Sequence, residues 1–149
     1  MSDDVSNGQR VALPSWFSVV AWVAFIWNLL GVMAFAAQMM MTPEMLATLP
    51  EVERKLYEST PMWATIAFAC AVLGGATGSL LLALKKAISF PVLVISLVGV
   101  IIQMYHSFFV IEAIEVYGPG QVIMPAMVLF IAIGLVWLSS DAKNKGWIS

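Results

Sequence analysis

Four stretches of this chain, Trp16–Met40, Met62–Leu84, Ile88–Ile111 and Val122–Ser140, contain no Asp, Glu, Lys or Arg. A helix needs about 20 apolar residues to cross the ~30 Å hydrocarbon core of a bilayer. Unsatisfied backbone groups are costly in lipid, so runs of this length and composition resolve into helices. Composition agrees: 61% of the 149 residues are hydrophobic and 11% charged, against roughly 25% charged in a soluble domain. The mean hydropathy is +0.92. The expectation is all-α: a polytopic membrane protein forming one domain over residues 1–149, a bundle of four transmembrane helices with a short amphipathic outer-loop helix.

Local signals set the boundaries. Thr60-Pro61 reads as an N-cap followed by proline in the first helical position. The "YGPG" at Tyr117–Gly120 is a tight turn between the third and fourth spans. Pro91 and Pro125 fall in first turns, where proline is tolerated. Between the first two spans, residues 42–61 place Met45, Leu49, Val52 and Leu56 at helical spacing. Thr42-Pro43-Glu44 starts a helix there and Pro50 divides it, giving an amphipathic cap on the outer interface. The opening "MSDDVSNGQRVALP" lacks the basic start, short apolar core and small-residue cleavage site of a secretory signal, so the first span is expected to remain as an anchor.

Orientation follows from Lys and Arg. Arg10, Lys85, Lys86, Lys143 and Lys145 fall on one side. Only Arg54 and Lys55 fall on the other, among Glu44, Glu51, Glu53, Glu58, Glu112 and Glu115. Both termini are expected in the cytoplasm and the chain in the plasma (inner) membrane.

The candidate functional residues are uncharged. At 100° per residue, Ser96, Gly99, Gln103, His106 and Ser107 share an arc of about 100° on the third span, and polar groups in a span face the bundle interior. On the first span Ala21, Ala24, Asn28 and Gly31 share an arc, with Gln38 at its edge. At 1.5 Å per residue, Asn28 lies near the midplane, Gln103 roughly 3 Å outward, His106 about 8 Å and Gln38 about 15 Å. These groups describe a pocket open outward and sealed inward. Trp27 and Trp63 add aromatic faces, as Tyr105 does. "NLLGV" at Asn28–Val32 also echoes "SLVGV" at Ser96–Val100, and the same offset pairs Gln38 with His106; this is either a parallel repeat or coincidence. The second span carries Gly74, Gly75 and Gly78 in a small-residue face, a natural hinge if the protein moves. The fourth span has no strong polar group and reads as a packing or subunit-contact helix.

Other chemistry has less support. The single cysteine, Cys70, admits neither an intramolecular disulfide nor a cysteine-based metal site. No phosphate loop or paired histidines occur, so no catalytic residue, metal or cofactor is expected. Haem on His106 with a distant Met33 or Met104, and catalysis by His106 with Glu112 or Glu115, are the remote alternatives. His106 and Asn28 are equally open to a structural role, bonding across helices to each other, to Gln38 or to a carbonyl.

The order "WNLLGVMAF … QMMMTPEM … YESTPMWATIAFA … GGATGSLLL … QMYHSFF … EVYGPG … IMPAM" resembles a group of small four-span bacterial inner-membrane proteins often labelled "sugar transporter", over about Pro14 to Trp147. The resemblance implies transport and points to Trp27, Asn28, Gln38, Tyr57, Trp63, Gln103, His106, Ser107, Glu115 and Tyr117 as the matching positions. The proline-glutamine motif of small sugar-efflux proteins is absent, so no mechanism shared with those follows. The expected function is binding or translocation of a small neutral polar solute, a sugar being one candidate, through an outward-facing polar cavity at Asn28, Gln38, Gln103, His106, Ser107, Trp27 and Trp63. Amides and imidazole both donate and accept hydrogen bonds, which suits hydroxyl-rich ligands. The alternative is a non-catalytic accessory subunit of a larger membrane complex. The expected partners are lipid and a second copy or another membrane protein, with no nucleic acid.

Overall fold

A computed structural model describes residues 12–112, 115 and 117–149; Arg10 lies outside them. Helices α1 (Ser15–Met39), α2 (Pro43–Ala47), α3 (Glu51–Glu58), α4 (Met62–Ala83), α5 (Ser89–Tyr105) and α6 (Ile123–Asn144) follow in order. A π-helical turn at His106–Val110 extends α5, and a 3-10 turn at Pro119–Val122 precedes α6. The described residues contain no strand. Four of the helices, α1, α4, α5 through Val110, and α6, are long and apolar enough to cross a membrane.

The boundary chemistry is mostly as the residues suggest. Thr42 Oγ1 accepts from the Met45 N–H at 3.3 Å and caps α2, and Pro50 separates α2 from α3. Pro61 differs from expectation. Its ψ of 157° is extended, so it stands before α4 at the N-cap rather than inside it. Gly118 turns the chain toward α6 at φ 95°, a conformation open to glycine at little cost.

Helix α4 packs along both α1 and α5, and α5 packs along α6. Small residues allow the α4–α5 approach. A Cβ on Gly99 would stand 2.8 Å from both the Ala67 carbonyl oxygen and the Ala71 nitrogen, and one on Gly74 would stand 3.1 Å from Ser96 Cβ. Ser96 Oγ donates across this contact to the Ala71 carbonyl at 2.6 Å. Helix α4 runs unbroken through Gly74, Gly75 and Gly78, and these glycines pack closely against Asn28, Ser96 and Leu93.

One end of the bundle carries Lys85, Lys86, Lys143 and Lys145; the other carries α2 and α3. At the basic end, Phe17 and Ala21 of α1, Leu82 of α4, Leu93 of α5 and Leu138 and Ala142 of α6 form one buried cluster. The chain after α6 folds back over it. Trp147 packs edge-on against Phe17 at 5.7 Å and Trp16 at 5.9 Å. Backbone bonds from Ala87 to Ser149 (3.0 Å) and from Ser149 to Lys85 (3.1 Å) fasten this segment to the α4–α5 turn.

If backbone proximity is what Gly99 provides, Gly99→Ala lowers unfolding stability by about 1–3 kcal/mol, the usual cost of overpacking. Gly134, which has nothing within 4 Å of its Cβ position, is the control: Gly134→Ala is neutral or stabilising by up to about 1 kcal/mol. Equal effects of the two in a denaturant titration would contradict the packing assignment.

Candidate functional site

Beyond the sealed end, α1 and α6 become opposite walls of a groove of about 470 Å³ backed by α4 and α5. Trp27, Asn28, Gly31 and Ala34 line it from α1, and Met124, Val128, Ala132 and Leu135 from α6. A second cavity of about 380 Å³ lies beneath α3, between Gln38, Glu53, Tyr57, Thr60, His106 and Tyr117. Gln103 and Phe68 line both. Both volumes fall in the range of small-molecule sites, roughly 300–1,000 Å³. We refer to them as the deep groove and the cap chamber.

The seven residues expected to form one pocket are thus divided. Trp27, Asn28 and Ser107 line the deep groove, Gln38 and His106 the cap chamber, and Gln103 both. Trp63 lines neither; 44% exposed, it covers His106 from outside, ring centroids 5.2 Å apart at 87°. Helical geometry explains the division. Relative to Gln103, His106 points about 60° to one side and Ser107 about 40° to the other. Gln103 stands on the ridge between them. The π turn opens at His106, whose carbonyl accepts from the Ile111 N–H at 3.0 Å.

The polar groups differ in how fully they are committed. Asn28 Nδ2 donates to the Ala24 carbonyl of its own helix at 2.8 Å, and its oxygen occupies the space a Cβ on Gly75 would need. Ser96 spends its hydroxyl on Ala71. Both pack closely at Gly75, and apart from Asn28 Oδ1 the deep groove near them is apolar. His106 is 4% exposed, and no hydrogen bond joins it to Gln38 or Asn28, two of the partners the structural alternative offered. Gln103 is the exception: its Oε1 is buried with no hydrogen-bond partner. The two echoing segments fall together, Asn28 and Ser96 both at Gly75, Gln38 and His106 both in the cap chamber.

Several lining residues were not anticipated. Glu53 and Thr60 enter the cap chamber from and just beyond α3. Their signal was available: Glu53, Leu56, Tyr57 and Thr60 recur at three- and four-residue spacing, which places them on one helical face. Leu49 and Leu56 turn toward the chamber, whereas Met45 and Val52 are exposed. The four apolar residues expected to form one stripe therefore divide between two surfaces. Helix α6 is a wall of the groove as well as a packing element, carried by apolar residues that give no polar signal. Glu112 and Glu115 are exposed and line neither cavity, so the carboxylate partners proposed for catalysis are not at His106. Among the described residues, no cluster of three potential metal ligands occurs.

Tyr57 latches the chamber shut on one side by donating its hydroxyl to the Gln38 carbonyl. Burial pushes its phenol above the ordinary value of 10.0. Tyr117 is pushed up by burial and then by the negative charge of Glu53.

Comparison with protein-family models, curated proteins and solved structures finds no match for the chain.

Ser96→Ala removes an interhelical bond and lowers stability by about 0.5–1.5 kcal/mol. Gln103→Leu removes an unpartnered buried oxygen and leaves ligand-free stability unchanged or higher; a loss as large as that of Ser96→Ala would contradict the assignment. The Tyr57 phenol is raised on folding, so its contribution is fully present below the unfolded value and is lost as pH rises through the folded one. Melting scans from about pH 8 to 11 are expected to show an alkaline decline that is smaller in Tyr57→Phe.

Proposed function

We propose that the chain is a multi-pass membrane protein whose cap chamber binds a small uncharged solute rich in hydrogen-bonding groups. Gln103 Oε1 carries this reading. An unsatisfied buried polar atom costs about 1–3 kcal/mol, and such atoms in native proteins call for an explanation such as an unseen ligand or water. The oxygen is enclosed, and a turn of the Gln103 side chain toward the chamber it lines would let a donor from a bound solute satisfy it. Around the same chamber, Gln38, Thr60, His106 and the two phenols supply further donors and acceptors. Hydroxyl groups also donate and accept, so polyols and sugars are the first class to test, in keeping with the resemblance to four-span proteins labelled as sugar transporters.

The excess of lysine at the basic end favours that end as cytoplasmic. This orientation puts both termini inside and opens the chamber to the extracytoplasmic side of the inner membrane. The Phe17–Trp147 seal supports binding from outside as the first event; translocation would require that seal to open. A second reading, an accessory or self-associating subunit, rests on the exposed large side chains Phe130 and Trp137 of α6 beside the open Gly134. Stoichiometric co-purification of a partner, or a molar mass of two chains, would favour it.

A thermal-shift screen of the purified protein against uncharged sugars and polyols tests the main reading. At 100 times its Kd a binder stabilises by about 2.7 kcal/mol. The shift is expected to saturate and to fall in His106→Ala and Gln38→Ala. Absence of any saturable shift across the screen, or shifts unchanged in both variants, would remove the chamber as the binding site.

A further inference from the structure

Resting on that chamber as the polar site, we propose that its physiological ligand is a single-chain amphiphile, with an uncharged hydroxyl-bearing head in the cap chamber and an apolar chain in the deep groove. The two cavities share Gln103 and Phe68 as lining residues, so a ligand in one adjoins the other. Polarity changes along this path in the order an amphiphile requires. The cap chamber offers an amide, an imidazole, a hydroxyl, phenols and the Glu53 carboxylate, an acceptor for hydroxyl donors. The junction holds the unpartnered Gln103 oxygen. Below it, Asn28 Nδ2 and the Ser96 hydroxyl each donate to a backbone carbonyl, Asn28 Oδ1 stands as a lone acceptor beside Gly75, and Leu93, Val128, Ala132 and Leu135 present hydrocarbon.

Length and access fit as well. From Ser107 to Leu93 the groove follows α5 for roughly 21 Å at 1.5 Å per residue, about two thirds of a ~30 Å hydrocarbon core. Its two flanking walls, α1 and α6, are not packed along one another, which leaves a side opening toward lipid through which a chain enters without crossing water. A free sugar would leave this groove empty. A transmembrane helix of a partner would cover the groove but could not satisfy the chamber above it.

The test uses the full chain in phosphatidylcholine nanodiscs and 1-oleoylglycerol as probe, with glycerol at equal micromolar concentration as the head alone. The expected result is a saturable rise in Tm with 1-oleoylglycerol and none with glycerol, and loss of that rise in Ala132→Trp, which fills the groove. If Ala132→Trp does not fold, 9,10-dibrominated 1-oleoylglycerol replaces it: saturable quenching of intrinsic fluorescence is expected in the wild type and is expected to shrink in Trp27→Phe. The inference is overturned if 1-oleoylglycerol shifts Tm no more than glycerol, if folded Ala132→Trp responds as the wild type does, or if Trp27→Phe is quenched equally. A two-chain particle that excludes the probe overturns it in favour of a protein partner. Failure of the chamber reading is distinguishable: the probe then binds with the same Tm rise in His106→Ala and Gln38→Ala.

Discussion

The contact between α4 and α5 is made by backbone against backbone. At Gly99 the neighbouring helix lies so near that one methyl group would press on Ala67 and Ala71. For helices this apolar placed in lipid the hydrophobic effect would offer little drive, because acyl tails are as apolar as leucine; close van der Waals packing and interhelical hydrogen bonds would take its place. The glycines supply the first and Ser96 the second. With α4 and α5 joined in this way, α1 packs against α4 and α6 against α5. They come together in the buried cluster at the basic end and form facing walls above it. The deep groove is a consequence of that arrangement.

The site inherits its two-part character from one helix. Gln103, His106 and Ser107 occupy a single turn, yet the angular step of the helix sends His106 and Ser107 to different cavities. Gln103 serves both. At the groove's lower end the Asn28 amide nitrogen and the Ser96 hydroxyl donate to main-chain carbonyls within the bundle, whereas Gln103 Oε1 has no partner. Magnitudes agree with this ordering. Interhelical bonds in membranes average about 0.6 kcal/mol, whereas a buried atom without a partner costs about 1–3 kcal/mol.

Much of the architecture was legible in the residues. Uncharged runs of sufficient length gave the four long helices, and Pro50, Thr42 and Gly118 marked turns that the chain makes. The inward direction of Gln103, His106 and Asn28 followed from helical periodicity. Their distribution between two cavities did not, since it depends on how far α1 and α6 diverge, and that distance has no local signature. Trp63 was misplaced for a related reason: an aromatic near a polar stripe reads as a lining residue, and only the packed ring of His106 puts it on the outer side. The small-residue face of α4 signalled close packing, and its glycines meet Asn28, Ser96 and Leu93. Lining residues of α6 such as Val128 and Ala132 were invisible because hydrocarbon facing a groove and hydrocarbon facing lipid look alike in a sequence.

The divergence of α1 from α6 is measurable directly. In a Cys70→Ser background, pairs of spin labels report separation at each end: Ser18 with Lys143 at the basic end, and Ala37 with Met124 at the end under α2 and α3. The account predicts, by double electron–electron resonance in nanodiscs, a shorter and narrower distance distribution for the first pair than for the second. Equal separations, or the shorter distance at the α2–α3 end, would mean a closed bundle without a groove and would contradict it.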